Sequence, residues 1–220
     1  MSTARIPSEA LLNIPGVWRA GRAAAAHGAT STGYRVLDAA LPGGGWSTGS
    51  VTELLPVATG IGEIHVLAPA LATAAASGAI VFLDPPAEPG LAALTHWGVP
   101  GGQLTIVRTR TPRDRQWAAE QLLRSNTTAA LLVWEPHPVE RGMRRLQVAV
   151  EAGRGLCFTF CPPATAHQSS AAALRIALAG TPRRGELQVN IIKRRGNRLT
   201  PFFLDMSDAV ARAPVSRARA

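Results

Sequence analysis

The segment Pro56-Val57-Ala58-Thr59-Gly60-Ile61-Gly62-Glu63 follows an apolar run, Ser50–Leu55, and leads into an Ala-rich helical pattern. A loop in that position that holds a nucleotide needs glycines to aim backbone N–H groups at phosphates. It also needs a Lys to reach the terminal phosphates and a Ser or Thr hydroxyl for the metal. Gly60 is in place, but Ile61 and Gly62 stand where the Lys and the hydroxyl belong, and Glu63 adds negative charge. Pro56, Thr59, Gly60, Ile61 and Gly62 therefore read as a degenerate phosphate site. The metal-holding Asp expected at the end of Ala130-Leu131-Leu132-Val133 is Trp134, which coordinates nothing. Glu135 is expected to point away, because successive strand residues face opposite sides.

Other chemistry is sparse. The histidines His27, His65, His96, His137 and His167 lie far apart without metal-ligand spacing, and two cysteines are too few for a zinc site. No metal or cofactor is expected. Glu135-Pro136-His137-Pro138-Val139-Glu140 sets a His between carboxylates, but no nucleophile accompanies it. Cys157 and Cys161 sit in one strand-like run, where extended chain holds their α carbons about 13 Å apart, beyond disulfide reach. They read as buried thiols.

Charge is the strongest compositional signal: 23 basic against 14 acidic residues in 220, a net +9, with Lys193 the only lysine among the 23. The arginine excess fits planar recognition of phosphate or carboxylate, and equally fits a bias in base composition. The densest cluster, Lys193-Arg194-Arg195-Gly196-Asn197-Arg198, lies near Arg212, Arg217 and Arg219 in a basic C-terminal third. A solvated turn and a contact surface for DNA or an acidic partner both fit it. No aromatic residues are interleaved with the cluster for stacking on single-stranded bases.

The elements that must position these groups alternate. Strand patterns at Ser50–Leu55, Ala79–Asp84, Leu104–Val107, Ala129–Trp134 and Leu156–Phe160 are separated by helical patterns at Ile64–Ala76, Pro89–Trp97, Arg113–Ser125 and Arg141–Ala152. That alternation predicts an α/β fold with a mostly parallel sheet and flanking helices, its chemistry beyond the carboxyl ends of the strands. After Ala171–Leu178, the alternating Leu187–Ile191, a turn at 194–197 and Leu199–Leu204 predict a C-terminal antiparallel hairpin with one buried face. Leu41-Pro42-Gly43-Gly44-Gly45-Trp46 precedes its strand and reads as a connection. Three segments are expected: an N-terminal helical element over 1–29, one domain over 30–205 and a mobile basic tail over 206–220. No apolar run of about 18 residues and no leader-like stretch is present, which predicts a cytoplasmic protein.

In order along the chain, these segments resemble a RecA-type core. Thr30-Ser31-Thr32-Gly33-Tyr34-Arg35-Val36-Leu37-Asp38-Ala39-Ala40-Leu41 resembles that family's ST-G-x-x-x-LD-x-x-L stretch, and Gly49-Ser50-Val51-Thr52-Glu53 resembles its G-R-[IV]-x-E strand. Val189-Asn190-Ile191-Ile192-Lys193-Arg194-Arg195 with Pro201-Phe202 resembles its V-x-V-V-K-N-K…PF hairpin. The similarity spans about residues 28–205. The departures carry the functional argument, since Ile61, Gly62, Trp134 and Pro86 replace the family's lysine, hydroxyl, metal-binding Asp and catalytic Glu. The two DNA-contacting loops are cut to about Pro136–Gly142 and Pro162–Ser170.

A RecA-like chain of this length with degenerate nucleotide motifs is similar to the ImuA family, SulA/RecA-like accessory proteins of SOS-induced translesion DNA synthesis and SOS mutagenesis. The resemblance implies a non-enzymatic adaptor in DNA repair. Its implied partners are ImuB, a catalytically inactive Y-family polymerase relative, with RecA as a further candidate. An error-prone C-family polymerase would be reached indirectly, and DNA binding would be weak and charge-driven. On this reading Lys193, Arg194, Arg195, Arg198, Arg212, Arg217 and Arg219 are one candidate partner surface, and the N-terminal Leu11, Leu12 and Trp18 another. Localisation would be cytoplasmic, with the nucleoid on DNA damage. The alternatives are a SulA-like cell-division inhibitor and a nucleotide-dependent DNA-binding ATPase.

Overall fold

A computed structural model describes residues 28–209 apart from 126, 154, 197 and 198. Ten strands and five helices follow the chain order: β1 (Ala29–Thr30), α1 (Arg35–Ala40), β2 (Trp46–Ser47), β3 (Val51–Pro56), α2 (Ala68–Ala74), β4 (Ala79–Leu83), α3 (Leu91–His96), β5 (Leu104–Val107), α4 (Pro112–Arg124), β6 (Thr128–Trp134), α5 (Glu140–Glu151), β7 (Leu156–Phe160), β8 (Leu174–Gly180), β9 (Glu186–Lys193) and β10 (Phe202–Asp205). β1 and β2 form a small antiparallel pair, and the other eight strands form one sheet in the order β10-β9-β8-β3-β7-β6-β4-β5. β9 runs antiparallel to β8 and β10, while the remaining neighbours are parallel. This is the α/β, RecA-like core expected, with its C-terminal antiparallel hairpin.

Both faces of the central strands are covered, which is why β4, β6 and β7 read as nearly continuous apolar runs, while β3 buries Thr52 and Glu53 among its apolar residues. On one face Leu54, Ile80, Phe82, Leu132 and Phe158 pack under α1, α2 and α3, with Trp46 edge-on to Phe158 at 5.3 Å. On the other, Val51, Val81, Leu83, Leu131, Val133 and Cys157 pack under α4 and α5. β9 shows true alternation: Leu187, Val189 and Ile191 are buried and Gln188 is exposed, so its second face is open.

Three helices differ from the periodicity. The pattern over Ile64–Ala76 resolves into a 3-10 turn, His65–Leu67, and then a short α2. Pro69 sets that start, because a residue without an N–H is tolerated only in the first turn. Helix α3 begins at Leu91 because Pro89 and Gly90 stay outside it, and α5 begins at Glu140, leaving only residues 135–139 in the loop expected over Pro136–Gly142. Ala171–Leu178 contains most of an additional strand, β8, inserted between β3 and the hairpin.

The N-terminal Leu11, Leu12 and Trp18 and the tail positions Arg212, Arg217 and Arg219 lie outside the described residues, as does Arg198. Met206, at the start of the segment read as tail, is buried in the core. Among the described residues, no helix is long and apolar enough to cross a membrane.

Candidate functional site

Sheet order makes the site. β3 is followed in sequence by strands on its β7 side and, after β7, by β8 on its other side, so the strand order reverses at β3. The crevice beyond the carboxyl ends at such a point is where α/β sheets bind ligands. A cavity of about 400 Å³ lies there, at the ends of β3, β4, β6 and β7. Of the seven residues that the sequence assigns to a degenerate nucleotide site, Pro56, Thr59, Pro86 and Trp134 line this cavity. Gly60, Ile61 and Gly62 do not line it.

Ile61 packs on the core and comes against Gly180 of β8. Gly62 has φ +112°, and a Cβ there would stand 2.7 Å from Met206 Cε. The backbone conformation therefore favours glycine where a nucleotide site needs its hydroxyl.

Glu63 is the feature that closes the loop. Its side chain is buried, and its carboxylate accepts from the Gly60 N–H (2.9 and 3.1 Å to the two oxygens) and from the Gly62 N–H (3.2 Å). Positive φ at Gly60 and Gly62 turns these N–H groups to one side, the geometry of an anion-binding concavity. The anion in it is the chain's own carboxylate.

Trp134 is stacked on Phe160 (4.4 Å between centroids) and on Phe82 (5.9 Å), one aromatic row across β7, β6 and β4. The polar wall of the cavity is a carboxylate–guanidinium–carboxylate bridge. Arg115 of α4 donates through Nε and Nη2 to the two Glu135 oxygens (3.1 and 2.9 Å) and through Nη1 to Asp84 (3.5 Å). Burial alone would lower the Arg115 pKa; the hydrogen bonds and charge of Glu135, then those of Asp84, outweigh it and raise it. Asp84 follows β4 in the left-handed region at φ +52°, and Thr109 fixes its carboxylate through N–H (2.6 Å) and Oγ1 (2.5 Å).

Glu135 corrects an expectation: it lines the cavity beside Trp134 instead of facing away. Strand alternation ends with β6 at Trp134, and the next residue is free to turn toward Arg115. Arg115 itself went unread, although one signal pointed to it. It lies four and eight positions before Ala119 and Leu123 on the buried stripe of α4, where a cation must find a carboxylate. Three carboxylates, Glu63, Asp84 and Glu135, against one guanidinium make the cavity net negative, unfavourable to a polyphosphate.

The hairpin residues lie elsewhere. Lys193 donates to the Ser170 carbonyl at 2.6 Å, and Arg194 to the Ala40 carbonyl at 2.7 Å. Burial, then the charge of Arg175, lower the Lys193 pKa against the opposing pull of Glu53. Two of the cations assigned to a partner surface thus also tie the hairpin to this chain's own loops. Among the described residues, no group of three or more His, Cys, Asp or Glu is placed to hold a metal.

Removing the Glu63 carboxylate should vacate the concavity. Glu63→Ala is expected to lose about 2 kcal/mol, the scale of hydrogen bonds to a charged group. Tens of millimolar phosphate should then restore stability to the variant and leave the wild type unchanged in thermal melts. Equal phosphate response in both proteins would show that the carboxylate does not fill an anion site.

Compared with known proteins, the chain matches no family model and no curated protein.

Proposed function

We propose that this chain is a non-enzymatic accessory protein of SOS-induced translesion DNA synthesis, an adaptor on a recombinase fold that has given up nucleotide turnover. The observation that carries the proposal is Glu63, whose carboxylate occupies the N–H groups that a phosphate would need. Trp134 at the metal-binding position, Pro86 at the catalytic-acid position and the negative balance of the cavity support it. The partners on this reading are those the resemblance implies, an ImuB-like inactive polymerase relative and then RecA. A C-family polymerase is recruited indirectly, and the setting is the cytoplasm and the damaged nucleoid. Lys193, Arg194, Arg195 and Arg198 are the proposed contact residues of the hairpin.

Two measurements test this. Titration with ATP and Mg²⁺, followed by Trp134 fluorescence, should give no saturable change below millimolar concentrations; micromolar binding would overturn the non-enzymatic reading. Affinity isolation from DNA-damaged cells should recover a polymerase-like protein or RecA, and charge reversal at Arg195 and Arg198 should weaken that recovery and its salt dependence. Recovery of a division protein alone would replace the repair role with division control.

A further inference from the structure

The outer face of α4 and α5 carries an arrangement that neither the hairpin nor the cavity accounts for. Trp117 is 64% exposed, and Val148 on α5 is 62% exposed. With 100° between successive helical residues, Arg113, Trp117 and Arg124 fall within about 40° of arc. The two arginines stand about 6 and 10 Å along the axis on either side of the ring. Neither Arg113 nor Arg124 has an ion pair or side-chain hydrogen bond among the described residues, and the same is true of Arg141 on α5. The two helices are locked together beneath this face, where Arg145 of α5 reaches the buried Glu120 of α4 at 2.8 Å and Gln116 donates to the Gly142 carbonyl at 3.3 Å. The ring and the free cations are therefore held on a rigid support.

We propose that this face binds an acidic protein segment carrying an apolar anchor, with Trp117 as the anchor's seat and Arg113, Arg124 and Arg141 as its charge partners. Tryptophan and arginine are the residue types that dominate binding energy at protein interfaces, and an exposed ring between unpaired cations complements a carboxylate-flanked apolar side chain. A second copy of the chain does not fit, since pairing this face with itself sets arginines against arginines. The chain's own Arg212, Arg217 and Arg219 are of the same sign. A single-stranded nucleic acid is the weaker match. Such sites stack successive bases on successive rings, whereas Trp117 is the one aromatic residue of α4 and α5. The surface is independent of the translesion reading, because it rests on α4 and α5 and not on the closed loop at 56–63.

Fluorescence anisotropy of the full chain tests it with three labelled probes: an acidic peptide with two leucine anchors, a peptide of equal charge with both leucines changed to serine, and an oligothymidine. The leucine peptide should bind most tightly. Trp117→Ala should weaken it at least about tenfold, the hot-spot scale, and the R113E/R124E variant should weaken it and flatten its salt dependence. Both variants alter exposed positions and should melt like the wild type. Equal binding of the two peptides, unchanged binding by the Trp117→Ala variant, or preference for the oligothymidine would each overturn the proposal.

Discussion

Arg175→Met is expected to cost about 3–5 kcal/mol in urea unfolding, the range for breaking a buried ion pair from one side. Arg175 of β8 and Glu53 of β3 are 5% and 2% exposed in their side chains and meet at 2.8 Å. They stand opposite one another in the parallel ladder. The guanidinium also holds the loop after β7: it donates to the carbonyls of Thr165, Ala166 and Gln168, at 2.8, 3.2 and 2.8 Å. Ser170 completes the network by donating to the second Glu53 oxygen at 2.6 Å. Removing the arginine leaves a buried carboxylate with the Ser170 hydroxyl as its remaining side-chain partner and takes a donor from three carbonyls, of which Thr165 keeps the Gln168 N–H at 2.9 Å. Glu53→Gln keeps an acceptor facing Arg175 and should cost less, so it remains readable if Arg175→Met fails to fold. The E53M/R175M double variant should recover only part of the loss. Its ion pair is gone without a stranded charge, yet the Ala166 and Gln168 carbonyls still lack the donor that Arg175 supplied. Loss of less than about 1 kcal/mol in Arg175→Met, the value of an exposed pair, would mean that β8 is not fastened through this pair.

The same pair shows where the sequence was legible and where it was not. Runs such as Leu131–Val133 and Cys157–Phe160 announce strands because both their faces are buried, and a parallel sheet then brings their carboxyl ends together. That is why Pro56, Pro86 and Trp134, far apart in the chain, converge on one cavity. Ala171–Leu178 gave no strand signal because the arginine within it looks misplaced in an apolar run until Glu53, 122 positions away, is known to face it. Glu63 was visible as an unwelcome charge, but its folding back on Gly60 and Gly62 depends on two positive φ angles that residue types permit without imposing. Arg115 and Glu135 have the same character: each is local in sequence, while their pairing is set by how α4 lies on β6. Periodicity reports which face is buried, and partner choice among buried charges is a tertiary matter.

Alkaline pH should unfold this protein through its two thiols. Burial pushes Cys157 from the ordinary 9.0 to about 12. Burial first, then the charges of Glu53 and Glu135, push Cys161 to about 12 as well, against the opposing charge of Arg175. The thiol is neutral when protonated, so the folded chain keeps both protons while the unfolded chain releases them near pH 9. Above that point the native state binds more protons, and stability falls by about 1.4 kcal/mol per pH unit for each thiol. The contribution is fully present below pH 9 and is lost as pH rises toward 12. Together the thiols should remove about 3 kcal/mol per pH unit, a large share of the roughly 5–15 kcal/mol that stabilises a domain. Tyr34, raised by burial from 10.0 to about 12, joins only at higher pH, which makes pH 9 to 10 the diagnostic window. Lys193, whose pKa is lowered in the fold, acts in the opposite sense and is common to every variant compared. The C157A/C161A variant should start less stable, for lost packing, but decline far less across that window. Parallel decline of wild type and variant would place the alkaline sensitivity elsewhere. At pH 8 both thiols should resist iodoacetamide in the folded chain and react on unfolding, because the thiolate is the nucleophile and burial withholds it.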